Sequence, residues 1–296
     1  MSVTAPRIKP LPPQVALLLP WAVVYGVFFL FPFIFSFVLA FLHYNPLNVG
    51  ATSWVGLDNF GRLFGDERFV RALRNTLVFV LGTVPVTTMA ALGLALLLRG
   101  RLPGKGVFRA GFFLPSIISA VVISLVFKLF YAPNGGFNNA LSLFGLAGHG
   151  WLTDPRTALG AIMVMDVWSA VGYYAIIFDA AFAGIPKEFY EAATLEGAGF
   201  RDTLRHVTVP ALRPVIAFVL VINTIRSFQI FIEVFVMTQG GPLGSTDTLV
   251  LHLYESAFRS LDYGYASAIA YAVFVLSGVF SIIAMKRFRT PLGSGS

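Results

Sequence analysis

Asp166, Asp179, Arg226 and Glu233 stand inside long apolar runs of this chain. A charge at the centre of a bilayer costs about 3 kcal/mol or more, and it is kept where it faces a cavity, a partner or another charge. On a helix, Asp166, Ser169 and Tyr173 fall at i, i+3 and i+7 and share one face. Asn223, Arg226, Ser227 and Glu233 share most of another, with Gln229 at its margin. Carboxylates, amides, hydroxyls and an aromatic ring together suit a neutral sugar, whose hydroxyls both donate and accept hydrogen bonds. The same groups could instead satisfy one another, an Asp166–Arg226 pair being the simplest case. For each residue both readings stay open.

Catalytic constellations are missing. The chain has no cysteine, which removes thiolate nucleophiles, thiolate metal sites and disulfides together. There is no His-Glu-x-x-His and no dinucleotide fingerprint. Gly100…Gly104-Lys105 falls short of a phosphate-binding loop: one residue is missing between the glycines, and Gly106 stands where Ser or Thr must reach the metal. No carboxylate pair or metal set has a recognisable spacing. The expectation is a chain that is not an enzyme, hydrolyses no ATP and holds no metal or cofactor. His149 and His206 lie in loops and carry no assigned role.

The elements that must position these residues are membrane helices. Of the 296 residues, 57% are hydrophobic and 12% charged, and the mean hydropathy is +0.79. Such a balance excludes disorder and a water-soluble globule. Six stretches are long enough to span a bilayer, near 14–42, 73–98, 110–131, 157–183, 214–237 and 265–286. The first is too long for a signal-peptide core, and no cleavage pattern ends it. The terminal Gly-Ser-Gly-Ser at 293–296 reads as an appended linker. The net charge of +7 sits between the apolar runs, so it orients the chain in a membrane rather than binding nucleic acid. Of the 21 basic residues, 13 fall on the side holding both termini and 6 on the other, which makes the termini cytoplasmic. The expected division is a tail at 1–13, a six-span domain at 14–290 and a tail at 291–296. The external loops, about 43–72, 132–156 and 238–264, read by composition as simple connectors.

The cytoplasmic loop 184–213 is too long for a plain connector. Pro186 suits a helix start, Glu188 complements the positive end of the helix dipole, and 187–196 are good helix formers. Gly197 and Gly199 can stop a helix in the left-handed conformation. A second segment, 201–209, should end at Pro210. Two short helices at an angle are therefore predicted outside the bilayer. Phe189, Ala192 and Ala193 form an apolar stripe at i, i+3 and i+4, with Glu191 beside it. The stripe suits a protein partner. The alternative, a helix lying on the membrane surface, fits its mixed charges less well.

This loop resembles the EAA signature of ABC-importer permeases: Glu191-Ala192-Ala193, three residues, Gly197, nine residues, then Val207-Thr208-Val209-Pro210. Gly136-Phe-Asn138-Asn-Ala-Leu141 resembles the maltose and glycerol-phosphate branch of those permeases. So do Phe60, Arg74-Asn75-Thr76, and Thr238-Gln-Gly240-Gly241-Pro242 continuing to Gly264…Ala268. The resemblance spans roughly 14–290, and the first span leading into Gly56–Phe60 looks like the first permease of a heterodimeric pair. It implies an all-α integral membrane protein with six transmembrane helices, a MetI-like ABC importer permease fold and an EAA coupling-helix loop at 184–213. It implies that Glu191, Ala192, Ala193, Gly197, Ala198 and Pro210 couple to an ATPase, Glu191 by an ion pair with an arginine and Gly197 by supplying the turn. It places the sugar path at Asp166, Ser169, Tyr173, Asn223, Arg226, Ser227, Gln229 and Glu233. The implied partners are a second homologous permease, two ATPase subunits holding ATP and Mg, an extracytoplasmic solute-binding protein, a carbohydrate and membrane lipid, in the inner membrane of a bacterial or archaeal cell. The competing expectation is a gradient-driven secondary transporter with Asp166, Arg226 and Glu233 as an ion relay. The lack of an evident inverted repeat and the EAA loop count against it.

Overall fold

The computed structural model describes residues 13–44, 46, 50, 52–100 and 104–288. The N-terminal tail with Arg7 and Lys9, Arg101 of the first basic turn, and the C-terminal stretch with Arg289 and 291–296 lie outside the described residues.

The first span is α1 (Pro13–Tyr25), a π turn (Gly26–Leu30) and α2 (Phe31–Leu39). Only 6% of its 18-residue apolar stretch within Leu17–Leu39 is buried. A helix apolar all round and this bare must face lipid or another chain. Its anchor to the rest is Tyr271, whose hydroxyl donates to the Phe33 carbonyl at 2.7 Å and whose ring meets Phe37 at 5.1 Å. A short antiparallel pair follows, β1 (Leu42–His43) with β2 (Ser53–Trp54), in the register Leu42↔Trp54. In α3 (Asp58–Gly65) the Asn59 amide donates to the Ala40 and Leu42 carbonyls, each at 3.0 Å, and fixes this corner.

The second span, α4 (Glu67–Arg99), has 33 residues and is longer than the 73–98 expected. It is capped by Asp66, which accepts from the Arg68 amide at 2.8 Å. The third span departs most from expectation. The run 110–131 is not one helix but α5 (Lys105–Ile117) and α6 (Ala120–Phe130), bent by 101°. Pro115 removes an intrahelical donor from the last turn of α5, and Ile118 and Ser119 both take extended ψ angles. After α7 (Gly136–Leu143) comes α8 (Ala158–Ala183), close to the expected 157–183. Gly172 of α8 lies so near α5 that a Cβ there would come 1.9 Å from the Phe112 carbonyl oxygen, so only glycine permits this approach.

Beyond α9 (Lys187–Leu195) and α10 (Phe200–Thr203) the chain does not stop at Pro210, as the sequence predicts. A π turn (Leu204–Thr208) leads directly into α11 (Val209–Phe228). Pro210 sits in the first turn of α11, where its missing N–H costs little. The fifth span is also interrupted: Gln229–Phe231 breaks the helix before α12 (Ile232–Met237). Then come α13 (Leu249–Phe258) and α14 (Tyr263–Phe288), the latter two residues longer at each end than expected. Among the described residues, five helices are long and apolar enough to cross a membrane, or six when the bent α5–α6 pair is counted as one span.

Three apolar clusters hold the helices together. One joins α3, the first half of α4, α13 and α14 around Phe69, Val80 and Ile269. A second joins the end of α4 to α8 and α11 around Tyr174, Phe178 and Leu212. The third places α6 and α12 on α8 around Ile162, Met165 and Val234. The three loops expected as simple connectors are instead built: α3, α7 and α13 lie in them.

Candidate functional site

Two places carry the residues singled out from the sequence. The first is a cavity of about 410 Å³ between α5, α6, α8, α11 and α12. Ser169, Tyr173, Arg226 and Glu233 line it, together with Ser116 and Tyr174. The bent α5–α6 pair and the break before α12 open it: irregular backbone at membrane depth is tolerated where it lines a cavity. Asp166 lies just behind the wall, 1% exposed, and accepts a hydrogen bond from Arg226 Nη2 at 2.7 Å. The same nitrogen stands 3.9 Å from a Glu233 carboxylate oxygen. Ser169 donates to the Asp166 backbone carbonyl at 2.9 Å. One guanidinium thus faces two carboxylates. Asp166 Oδ2 and Arg226 Nη1 are buried without a hydrogen-bond partner among the described residues.

Asn223 and Ser227 point elsewhere. Both are buried against α4, where the Asn223 amide donates to the Val84 carbonyl at 3.4 Å and the Ser227 hydroxyl lies 3.4 Å from that of Thr83. Gln229 is exposed beside a neighbouring hollow of about 650 Å³ that shares Arg226 and Glu233. Sequence reasoning missed Ser116 and Tyr174. Ser116 carried a signal, as a hydroxyl next to a proline inside an apolar run.

The second place is α9. Glu191 and Ala192 are exposed, whereas Ala193 is buried. The stripe is therefore split, with Ala193 turned inward and Phe189 turned outward. Gly197 has φ +74°. Its N–H donates to the Thr194 carbonyl at 3.0 Å and that of Ala198 to the Ala193 carbonyl at 2.9 Å, which together make a Schellman cap. Ala198 and Pro210 are half-buried on either side of the turn that leads back to the bundle. Arg99, the last residue of α4, lies over the Tyr190 ring at 4.4 Å and the Phe182 ring at 5.0 Å, and the Tyr190 hydroxyl is 3.4 Å from that of Thr208. Arg109 and Asp179, 3.3 Å apart, tie α5 to α8.

The opposite end of the bundle is closed by a polar network that the sequence did not reveal. Arg68 pairs with Asp247 at 2.6 Å and with Glu255. Asp66 accepts from Tyr265 and from His252 Nε2, the latter at 3.0 Å. Burial opposes the Asp66 charge, but the hydrogen bonds from Tyr265, the Arg68 amide and His252 outweigh it and hold its carboxyl below the usual range. Burial, reinforced by Arg68, pushes the His252 imidazole down against the pull of Asp66. In the loop around α7, Asn138 donates to the Ala132 and His149 carbonyls and accepts from the His149 amide and Trp151 Nε1. That fourfold use explains the residue's place in the Gly136-Phe-Asn138 stretch.

A broken-span helical bundle with a charged cavity and a capped helix projecting from one end defines a membrane permease. Residues 87–291 match the family described as "Binding-protein-dependent transport system inner membrane component", and the chain belongs to that family. It is 35% identical over 264 residues to the lactose transport system permease protein LacF of Rhizobium radiobacter, covering 87% of this chain and 88% of that protein. It is 33% identical over 276 residues to the trehalose/maltose transport system permease protein MalF of Thermococcus litoralis, covering 92% and 93%. Its fold superposes with a TM-score of 0.82 on a chain of a bacterial ABC transporter involved in the import of the acidic polysaccharide alginate, at 26% identity and 94% and 96% coverage. The chain is therefore the permease subunit of an ABC importer, with the MetI-like fold, and not an enzyme. This membership sets aside the gradient-driven transporter considered from the sequence.

Proposed function

We propose that this chain forms half of the path by which a neutral disaccharide or oligosaccharide enters the cell, with Ser169, Tyr173, Arg226 and Glu233 facing the solute. Asp166 holds Arg226 in place. The observation that carries the reading is the cavity itself, where one guanidinium, the Glu233 carboxylate, hydroxyls and an aromatic face meet, with Asp166 behind the wall. Glu233 in its wall and Asp166 just behind it both face the one guanidinium, which leaves no free positive charge for an acidic sugar and suits hydroxyls that both donate and accept. Relatives named for lactose, for trehalose and maltose, and for arabinooligosaccharides (Bacillus subtilis) support a neutral sugar.

A second, homologous permease supplies the other half of the path, and the bare first span packs against it or lipid. Two ATPase subunits bind at the α9 end, which is cytoplasmic, and hold the ATP and Mg; this chain holds neither. Glu191 pairs with an ATPase arginine, Ala192 and Phe189 seat in the ATPase surface, and Gly197 sets the angle at which α9 leaves the bundle. Pro210 starts the helix that carries the push to Arg226. An extracytoplasmic binding protein delivers the sugar at the opposite end. The solved alginate importer in complex with a pentasaccharide-bound periplasmic protein supports that partner class. Purifying the tagged chain tests the assembly: an ATPase and a second permease should travel with it in fixed ratio, and recovery of this chain alone would contradict it.

A further inference from the structure

At the end of the bundle opposite α9, a cavity of about 870 Å³ lies between the first turns of α4 and the start of α8. Arg71, Arg74 and Arg156 line it, with Glu67 as its one acidic residue. The other arginines of that end are all used: Arg62 pairs with Asp262, Arg68 with Asp247 and Glu255, and Arg259 with Glu255. Among the described residues, the three arginines without an ion pair there are the three that share this cavity. Arg71 is packed over Gly244, where a Cβ would lie 2.5 Å from its Nε. Ser245 also lines the cavity, with its hydroxyl oxygen buried and without a hydrogen-bond partner among the described residues.

Below the arginines the surface turns apolar. Val78, Leu81 and Met89 continue the helical face of Arg71 and Arg74 along α4, and they are 48%, 60% and 65% exposed. Three guanidinium forks, set above an apolar stripe on a membrane helix, match an amphiphile with an anionic head. We propose that this cavity binds the phosphate headgroup of an anionic phospholipid, whose acyl chains lie along Val78, Leu81 and Met89. A soluble anion has no use for the stripe, and the acidic surface of a soluble protein cannot follow α4 into the bilayer.

The test uses the full chain, purified with its accompanying subunits, stripped of lipid in detergent and titrated with short-chain phosphatidylglycerol or phosphatidylcholine. Bound lipid is counted by native mass spectrometry. Retention of phosphatidylglycerol should exceed that of phosphatidylcholine about tenfold, and the combined Arg71→Gln, Arg74→Gln, Arg156→Gln variant should abolish the difference. Should that variant fail to fold, the corresponding lysine variant, which keeps the charge but loses the fork, should still drop retention about threefold. Equal retention of the two lipids by the unaltered chain, or unchanged retention in the variants, would overturn the proposal. So would displacement of phosphatidylglycerol by millimolar inorganic phosphate, which assigns the cavity to a soluble anion. A glutamine variant that keeps its lipid but loses binding-protein docking overturns it in favour of an acidic protein surface.

Discussion

Arg226 Nη2 lies 2.7 Å from Asp166 Oδ1, although the two residues are 60 positions apart in the chain. The pair joins α8 to α11 just before the helix breaks at Gln229, and its guanidinium also faces Glu233 at 3.9 Å. A charged tie of this kind fixes how the two helices meet at the cavity.

Asp166→Ala leaves Arg226 facing only Glu233. Uptake in proteoliposomes should fall about tenfold or more, and the complex should melt at a lower temperature. Adding Arg226→Met should restore much of the thermal stability but not the uptake, with a coupling energy of about 2 kcal/mol between the two sites. Strictly additive losses would show that the pair is not a unit.

Gly197 has open space around it, so a larger side chain meets no clash; the obstacle is the backbone, at φ +74°. Gly197→Val should cost about 1–2 kcal/mol locally and misdirect α9, whereas Gly197→Asn should be tolerated. The ratio of ATP hydrolysed to sugar taken up should rise in the valine variant and stay near normal in the asparagine variant. Normal coupling with valine would remove the turn argument.

Glu191 is exposed, while Tyr190 beside it is held under Arg99 at 4.4 Å. The first side chain is free to meet a partner; the second positions the helix. Glu191→Lys should weaken recovery of the ATPase in a pull-down. Tyr190→Ala should leave recovery intact but raise hydrogen exchange across 187–195, because a contact of about 1 kcal/mol is lost, and Tyr190→Phe should behave as the original.

The sequence made the span count and the helix Lys187–Leu195 with its stop at Gly197 legible, because length, apolar runs and glycine placement are local properties. Two departures have one cause. The run 110–131 reads locally as one span and Pro210 as a helix end, yet the first is bent by 101° just after Pro115 and the second is absorbed by a preceding π turn. Neighbouring helices decide between those outcomes, and they are not in the local sequence. Helical spacing put Asn223 and Ser227 on the face of Arg226, but that face is wide enough to divide between α4 and the cavity. The Asp66, Arg68, His252 and Asp247 cap joins residues almost 200 positions apart, beyond any short-range pattern.

His252 gives the cap a pH dependence. Its folded imidazole is pushed below the ordinary value of 6.5, so below that pH the unfolded chain takes up protons that the folded chain resists. Stability is therefore complete above pH 6.5 and falls as the pH drops below it. Asp66 acts in a separate, lower window, since its carboxyl is held below 3.8. Thermal melts of the complex between about pH 7.5 and 5.5 should shift downward on acidification, and His252→Gln should flatten the trend. An unchanged slope in that variant would place the titrating group elsewhere.

Uptake by proteoliposomes tests the account most directly. This chain, reconstituted with its co-purifying permease, ATPase and sugar-loaded binding protein, should accumulate a neutral sugar only when ATP is supplied inside or outside on the α9 side. Reconstituted by itself, it should accumulate nothing under any ion gradient. Gradient-driven accumulation by the isolated chain without nucleotide would contradict the claim that its motion is supplied through α9.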